Sequence, residues 1–324
     1  MCSFMVYTKN DIGEKDFLEG FEKIGYRGPD MARTDFTNGM WGFHRLAIMG
    51  LNEKGMQPFY FKGSRVVCNG EIYGFRTIKK SLENEGYKFN SDSDCEILLP
   101  LYEKYKEKMF EKLDAEFACV IYDVDLNDYI AARDPIGIRP LFYGYSKVSD
   151  SIMFASEAKA LVDLCNKVLP FPPGSYYKNG KFIKYYDATK YTRYNDEKID
   201  VIAKNIHDKL EKAVLKRIDS DAPIGYLLSG GLDSSLVCAI AARHSDKPIK
   251  TFAIGMSKDA IDLKYAREVA DFIGSDHTEV FMDEKQVIGI LREVIYHLET
   301  WDITTIRASI GMYLLTKWIH ENTD

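Results

Sequence analysis

No apolar run in the 324-residue chain approaches the ~20 residues that a membrane-spanning helix requires. The N-terminus, MCSFMVYTKND, lacks a basic start and carries few apolar residues, which sets aside a secretory signal. Cations are not in excess: 43 Lys and Arg stand against 49 Asp and Glu, a net charge of −6. That balance excludes a binder of nucleic acid or of anionic membranes, which needs clustered Lys and Arg. Cysteine is sparse, at positions 2, 68, 95, 119, 165 and 238, and forms no CxxC pair. Several of these lie in apolar stretches such as FACVIYD and SRVVCNG, where Cys behaves as a small hydrophobe. A reducing compartment and a cytoplasmic protein are expected. Internal repeats and low-complexity segments are also missing.

What remains is an ordinary globular composition, 46% hydrophobic and 28% charged, long enough for two domains. The head of the chain stands out. Removal of Met1 would leave Cys2 with a thiol and a free α-amine on one residue. That amine titrates near pH ~8 and can take the thiol proton, an N-terminal nucleophile arrangement. The alternative is an arbitrary second residue.

FMVY at 4–7 reads as a strand that places Cys2 at the mouth of a sheet. In IGYRGPD (24–30), Gly28 and Pro29 mark a turn. Arg45 sits inside the apolar stretch MWGFHRLAIMG, and a buried arginine needs an anionic partner, in the protein or in a ligand. SRVVCNGEIYGF (64–75) is a strand running into Asn69-Gly70-Glu71; the motif reads either as a tight Asn-Gly turn or as two amides aimed at one point, as an oxyanion hole requires. Residues 78–87 read as a helix ending at Gly86, and 89–105 as a capped helix in which Asp94 is a first-turn carboxylate or a functional one. EFACVIYDVDLNDYIAARD (116–134) is a hairpin, and strand-turn-strand patterning continues to about 186. Abundant strands with few helices imply sheets packed face to face with helices outside.

The ordered blocks MCS, YRGPD, HRLAI, NGEIY, SDSDCE, RDPIGIRPLFYG, SEAKAL and FPPGS, covering most of 1–180, resemble the glutaminase domain of glutamine-hydrolysing asparagine synthetases. The resemblance implies an α+β N-terminal αββα sandwich of the N-terminal nucleophile type over 1–190. It also implies that Cys2 attacks the side-chain amide of glutamine, with the Asn69 side chain and Gly70 N–H holding the oxyanion. Glutamine would be bound by Arg45, Leu46, Ala47, Ile48, Asn69, Gly70, Glu71 and Asp94, with Arg45 on its carboxylate and Glu71 and Asp94 on its ammonium. The chain departs from the family pattern at Tyr26, where His is usual, at Ala47, where Ser is common, and at Gly74, where Asn is usual. These changes bear on how a loop closes over the site.

The polar stretch 187–198 reads as a linker. Beyond it, Ile199, Ile202, Ile206, Leu210, Ala213 and Ile218 recur at helical spacing, and strands at 222–228, 248–255 and 277–282 alternate with helices. An α/β doubly wound parallel sheet is expected over 199–324, with ligands at the carboxyl ends of its strands. Ser229-Gly230-Gly231-Leu232-Asp233-Ser234-Ser235 lies at such a position and lacks the Gly-Lys-Ser/Thr of a Walker loop. It resembles the pyrophosphate loop of ATP pyrophosphatases. The resemblance implies ATP bound by Leu228, Ser229 through Ser235 and Ile254, with Asp233 on Mg²⁺. TTIRAS (304–309) resembles the aspartate-recognising segment, implying Thr304, Thr305 and Arg307; otherwise it caps the last helix.

Relatives in the family continue past the point matching Asp324, so the synthetase half is expected to be truncated, with a second copy or a partner chain as candidates for completing it. The expected activity is glutamine-dependent asparagine synthesis from glutamine, aspartate and ATP. The alternatives are a glutaminase whose second domain is a remnant or is completed by a partner, a ligase acting on another carboxylate, and a non-catalytic glutamine-binding regulator.

Overall fold

A computed structural model describes residues 1–191, 194 and 196–323. The chain divides into two compact units, Met1–Asn195 and Asp196–Asp324. The stretch 187–198 includes Thr192, Arg193 and Asn195, which lie outside the described residues.

The first unit holds two six-stranded sheets. One is built from β1 (Ser3–Tyr7), β2 (Met31–Asp35), β3 (Met40–Arg45), β8 (Phe142–Ser146), β9 (Ile152–Ala155) and β10 (Cys165–Pro170), in the order β10-β8-β9-β1-β3-β2. The other is built from β4 (Phe59–Phe61), β5 (Ser64–Ile72), β6 (Ala115–Asp123), β7 (Asp128–Arg133), β11 (Ser175–Lys178) and β12 (Lys181–Lys184), in the order β12-β11-β7-β6-β5-β4. Neighbouring strands within both sheets that have an assigned register run antiparallel.

Strand alternation distributes the side chains into layers. Phe4 and Val6 of β1 join Trp41, Phe43, Val67, Val120 and Phe154 in a core between the sheets. Met5 and Tyr7 turn the other way, onto Phe17 and Phe21 of α1 (Glu14–Glu22). On the far side of the second sheet, Val66, Cys68 and Ile72 of β5 pack against α2 (Phe75–Asn84) and α3 (Leu98–Tyr105) through Phe75, Leu82, Leu98 and Leu99. The result is a helix-sheet-sheet-helix sandwich, as the strand count implies. The hairpin expected at 116–134 is β6 and β7, paired from Asp123↔Asp128 to Ala118↔Arg133.

The second unit contains α4 (Ile199–Arg217), β13 (Gly225–Leu227), α5 (Leu232–Arg243), β14 (Lys250–Gly255), α6 (Ile261–Ile273), β15 (Asp276–Phe281), α7 (Glu284–Leu298) and α8 (Ile303–Asn322). The strands form a parallel sheet in the order β13-β14-β15, so the alternating α/β reading holds here. Leu228, Cys238, Ala253, Leu263 and Ala266 form its central cluster. The expected amphipathic face of α4 is only weakly covered. Val214 is its one buried residue, and Ile199 and Ile206 are exposed.

Candidate active site

Because Phe4 and Val6 face the inter-sheet core, Cys2 falls on the same side, and it packs against that core. Its sulfur is held by the backbone of Leu46: the Leu46 N–H donates to Sγ at 3.4 Å, and Sγ donates to the Leu46 carbonyl at 3.4 Å. Burial pushes the Cys2 thiol above its ordinary range, while the Leu46 hydrogen bond pulls it back. The α-amine at the head of the described chain belongs to Met1 and moves oppositely. Burial brings it down to about 6; nearby Arg27 and Arg139 add to the drop, and Cys2 and Glu71 oppose it. With Met1 removed, the α-amine would instead stand on Cys2 itself, a proton acceptor next to its donor.

Asn69-Gly70-Glu71 is not a hairpin turn. The nine residues of β5 run straight through it, in continuous register with β6 from Arg65↔Tyr122 to Ile72↔Ala115. In an antiparallel pair, residues alternately point their N–H into and away from the partner. Cys68 and Ile72 point away: the Cys68 N–H donates to Gln57 Oε1 at 2.6 Å and the Ile72 N–H to Asp94 Oδ2 at 2.7 Å. The Gly70 N–H lies between them on that edge and meets no acceptor among the described residues. Only glycine fits here, since a Cβ would stand 2.6 Å from the Glu116 carbonyl oxygen. Asn69 shares the inter-sheet face with Val67, is 1% exposed, and its Nδ2 is buried without a hydrogen-bond partner. A native fold rarely tolerates an unpaired buried donor, and such an atom asks for a ligand. Two unclaimed donors therefore adjoin on one strand.

Glu71 lies on the same inter-sheet face. Burial pushes its carboxyl up to about 8, helped by the charges of Asp94 and Glu116 and opposed by Arg139. Asp94, also raised by burial, sits in a short 3₁₀ turn (Asp94–Ile97) that precedes α3. Its carboxylate binds the Ile72 N–H across the chain, so it serves the β5 edge rather than a helix dipole. The expected cap is not formed, since the N-cap residue Ser93 makes no side-chain cap bond; Glu96 instead ties down the preceding loop, accepting from the Asn90 and Ser91 N–H groups at 2.8 Å each.

Arg45 has no anionic partner in the described residues. Its guanidinium donates to the carbonyls of Asn52 at 2.6 Å, Gly50 at 2.5 Å and Met49 at 3.2 Å. The internal salt bridge weighed from sequence is therefore absent, and Asp30 and Asp94 act on the buried guanidinium only at longer range. Ala47 is tied by its N–H to Asp30 at 2.7 Å, and Ile48 packs on the helix-side core. Gly74 adopts the left-handed conformation (φ 70°) ahead of α2, a conformation glycine and asparagine share, which accounts for that departure. Tyr26 donates to the Glu157 carboxylate at 2.6 and 2.7 Å. Arg27 binds Glu157 at 2.7 Å and the Cys2 carbonyl at 3.2 Å, a tether on the nucleophile's backbone that sequence reading left without a role. Its signal lay in YRGPD and SEAKAL, blocks 130 residues apart that the fold brings together.

In the second unit, Ser229-Gly230-Gly231 links β13 to α5 as expected. Gly230 has φ 75° and lies against α6, where a Cβ would meet the Ala266 nitrogen at 2.6 Å. Ser229 and Ser234 hydroxyls bond each other at 2.9 Å, and Ser235 donates to the Gly231 carbonyl at 2.7 Å. Leu232 and Asp233 are exposed in the first turn of α5. The Leu228 side chain is 1% exposed in the core, so only its backbone can touch a ligand. Ile254 lines a cavity of about 330 Å³ with Val280, Met282 and Trp318. At TTIRAS the helix cap is Asp302, which accepts from the Thr305 N–H at 2.7 Å and hydroxyl at 2.6 Å; Thr304 and Arg307 are exposed.

Residues 1–173 match the family model of the glutamine amidotransferase domain. The chain belongs to the glutamine amidotransferase family. Residues 205–323 match the asparagine synthase model. The chain is 40% identical to a probable glutamine-hydrolysing asparagine synthetase of Dictyostelium discoideum, over 94% of this chain and 58% of that protein. It is 39% identical to glutamine-hydrolysing asparagine synthetase 3 of Arabidopsis thaliana, over 93% and 54%. With glutamine-hydrolysing asparagine synthetase 1 of Saccharomyces cerevisiae it shares 39% identity, over 98% and 62%. The chain thus spans about half the length of the curated relatives it matches. Cys2, Arg45, Asn69 and Gly70 all lie in its first unit. None of its described helices is long and apolar enough to cross a membrane.

Proposed function

We propose that the first unit hydrolyses glutamine at Cys2 once Met1 is removed. The α-amine takes the thiol proton, and Sγ attacks the side-chain amide carbon. The Asn69 Nδ2 and Gly70 N–H stabilise the oxyanion; collapse releases ammonia and leaves a glutamyl thioester that water hydrolyses. Arg45, buried with no anion in its contacts, takes the substrate carboxylate, and Glu71 and Asp94 take its ammonium, with Leu46, Ala47 and Ile48 along the wall. The observation that carries this reading is the pair of unclaimed donors on β5 at the end of the sandwich that bears Cys2.

The second unit is proposed to bind ATP through Leu228, Ser229, Gly230, Gly231, Leu232, Asp233, Ser234, Ser235 and Ile254. The Ser hydroxyls and the start of α5 would meet phosphate. Asp233 is a lone exposed carboxylate, and no group of three or more His, Cys, Asp or Glu converges on a metal site among the described residues. Asp233 would help hold Mg²⁺, whose other ligands would be phosphate oxygens and whose charge would offset theirs. Thr304 and Arg307 are proposed on the aspartate carboxylate; the Thr305 hydroxyl is engaged by Asp302. Together these support glutamine-dependent asparagine synthesis through β-aspartyl-AMP, in the cytoplasm, with a second copy or partner chain as a candidate for completing the site.

The test is one incubation with glutamine, aspartate, ATP and Mg²⁺, quantifying glutamate, asparagine and AMP. Glutamate with equimolar asparagine and AMP is expected. Glutamate alone would confine the activity to the first unit, and no glutamate despite glutamine binding would mark a regulator.

A further inference from the structure

The block RDPIGIRPLF is the most elaborately held loop of the first unit, and nothing in the reaction as proposed uses it. Asp134, fully buried, folds it by accepting from the N–H groups of Ile136 at 3.2 Å, Ile138 at 2.9 Å and Arg139 at 2.9 Å. Arg133 secures the other side, donating to the carbonyls of Gly137 at 2.9 Å, Arg139 at 2.7 Å and Phe171 at 2.8 Å. Both backbone groups of Arg139 are thereby fixed. Its side chain is 7% exposed, lies 2.9 Å from Glu116 Oε1 and 4.0 Å from Glu71 Oε1, and keeps a buried Nε without a partner.

Glu71 and Glu116 are direct register partners across β5 and β6. Like charges placed so repel and destabilise the pair unless a cation intervenes. Arg139 is that cation. We propose that Arg139 is a positioning residue of the ammonium subsite: clamped against Glu116, it fixes the Glu71 carboxylate on the inter-sheet face that carries Cys2.

The groups around Glu71 are Asp94, Glu116, Arg139, the N-terminal amine, Cys2 and Cys95. Burial and the two acids raise Glu71, and Arg139 lowers it. Removing Arg139 therefore protonates Glu71 over a wider range, while removing the Glu116 charge does the reverse. The proposal rests on the assignment of Glu71 to the substrate ammonium.

The experiment compares the chain with Arg139→Gln, Arg139→Lys and Glu116→Gln. With glutamine as substrate, Arg139→Gln raises KM about tenfold at pH 7.5 and moves the acid limb of kcat/KM upward by about one unit, a tenfold change in proton affinity. Arg139→Lys restores most of this, kcat at pH 9 stays within about threefold of the parent, and Glu116→Gln moves the limb downward. The carboxyl ¹³C resonance of Glu71, assigned as the one lost in Glu71→Gln, is titrated in parallel and needs no activity. It shifts in the same opposite directions. Unchanged limbs and titration in Arg139→Gln, or a common direction in Arg139→Gln and Glu116→Gln, would overturn the proposal. An inactive parent with these titration shifts would instead overturn the glutaminase reading alone.

Discussion

Asn69→Ala separates the catalytic account from a structural one, because the two give opposite expectations. In the resting chain, Asn69 Nδ2 is buried and makes no hydrogen bond. An unsatisfied buried donor costs about 1–3 kcal/mol, so truncating it relieves that cost while leaving a small cavity. The two effects offset each other, and Tm is expected within about 3 °C of the parent, equivalent to about 1 kcal/mol in a domain of this size. Turnover responds differently. Loss of one oxyanion donor costs about 3–4 kcal/mol in the barrier, a fall in kcat of about 10²–10³. Since the donor bonds the developing oxyanion rather than the bound amide, KM for glutamine should change by less than about threefold. The assay is steady-state glutamate release beside a thermal melt. A kcat within about threefold of the parent, or a large fall in Tm with a proportionate loss of active protein, would refute the reasoning.

Other outcomes follow from the same geometry. Arg45→Ala should raise KM for glutamine at least tenfold, because a buried cation with no anion in its contacts is lost; an unchanged KM would make Arg45 a brace for the loop at 49–52. In pH profiles, kcat reports the Cys2 α-amine freed by Met1 removal and should fall on the acid side of its titration, since a base acts unprotonated. A kcat that is flat from about pH 5 to 9 would count against it. The free carboxyl of Glu71 titrates at about 8 and must be ionised to hold an ammonium. Below that pH, glutamine binding should release a proton in calorimetry run in buffers of different ionisation heat, and Glu71→Gln should abolish the release. For the unliganded chain the same shift means stability that declines as pH rises toward and through 8, a decline that Glu71→Gln removes.

Much of the architecture is legible in periodicity. FMVY reads as a short apolar strand, and in the fold its residues divide between the two faces of β1; the short apolar runs of 116–134 pair as β6 and β7. The strands read at 248–255 and 277–282 are β14 and β15 within a residue or two. What eluded sequence is set by partners distant along the chain. Asn-Gly favours a turn locally, yet pairing along the whole of β5 overrides that preference. Spacing identified the apolar face of α4 but could not say whether it is covered, and Val214 alone is buried. The need of Arg45 for an anion was argued from charge. Its actual partners are three carbonyls, which satisfy the hydrogen bonds without neutralising it. Asp94 on the β5 edge and Arg27 on the Cys2 carbonyl are contacts across 22 and 25 residues, invisible to any local pattern.

The central claim is that Cys2 is the nucleophile of a glutaminase built on this sandwich. It is tested most directly by incubating the chain and its Cys2→Ala variant with glutamine and quantifying glutamate and ammonia, with mass spectrometry of the N-terminus of the same sample. The account predicts equimolar glutamate and ammonia from the parent with Met1 removed, and none above background from Cys2→Ala. Equal release by both proteins, or full activity in a chain that retains Met1, would contradict it.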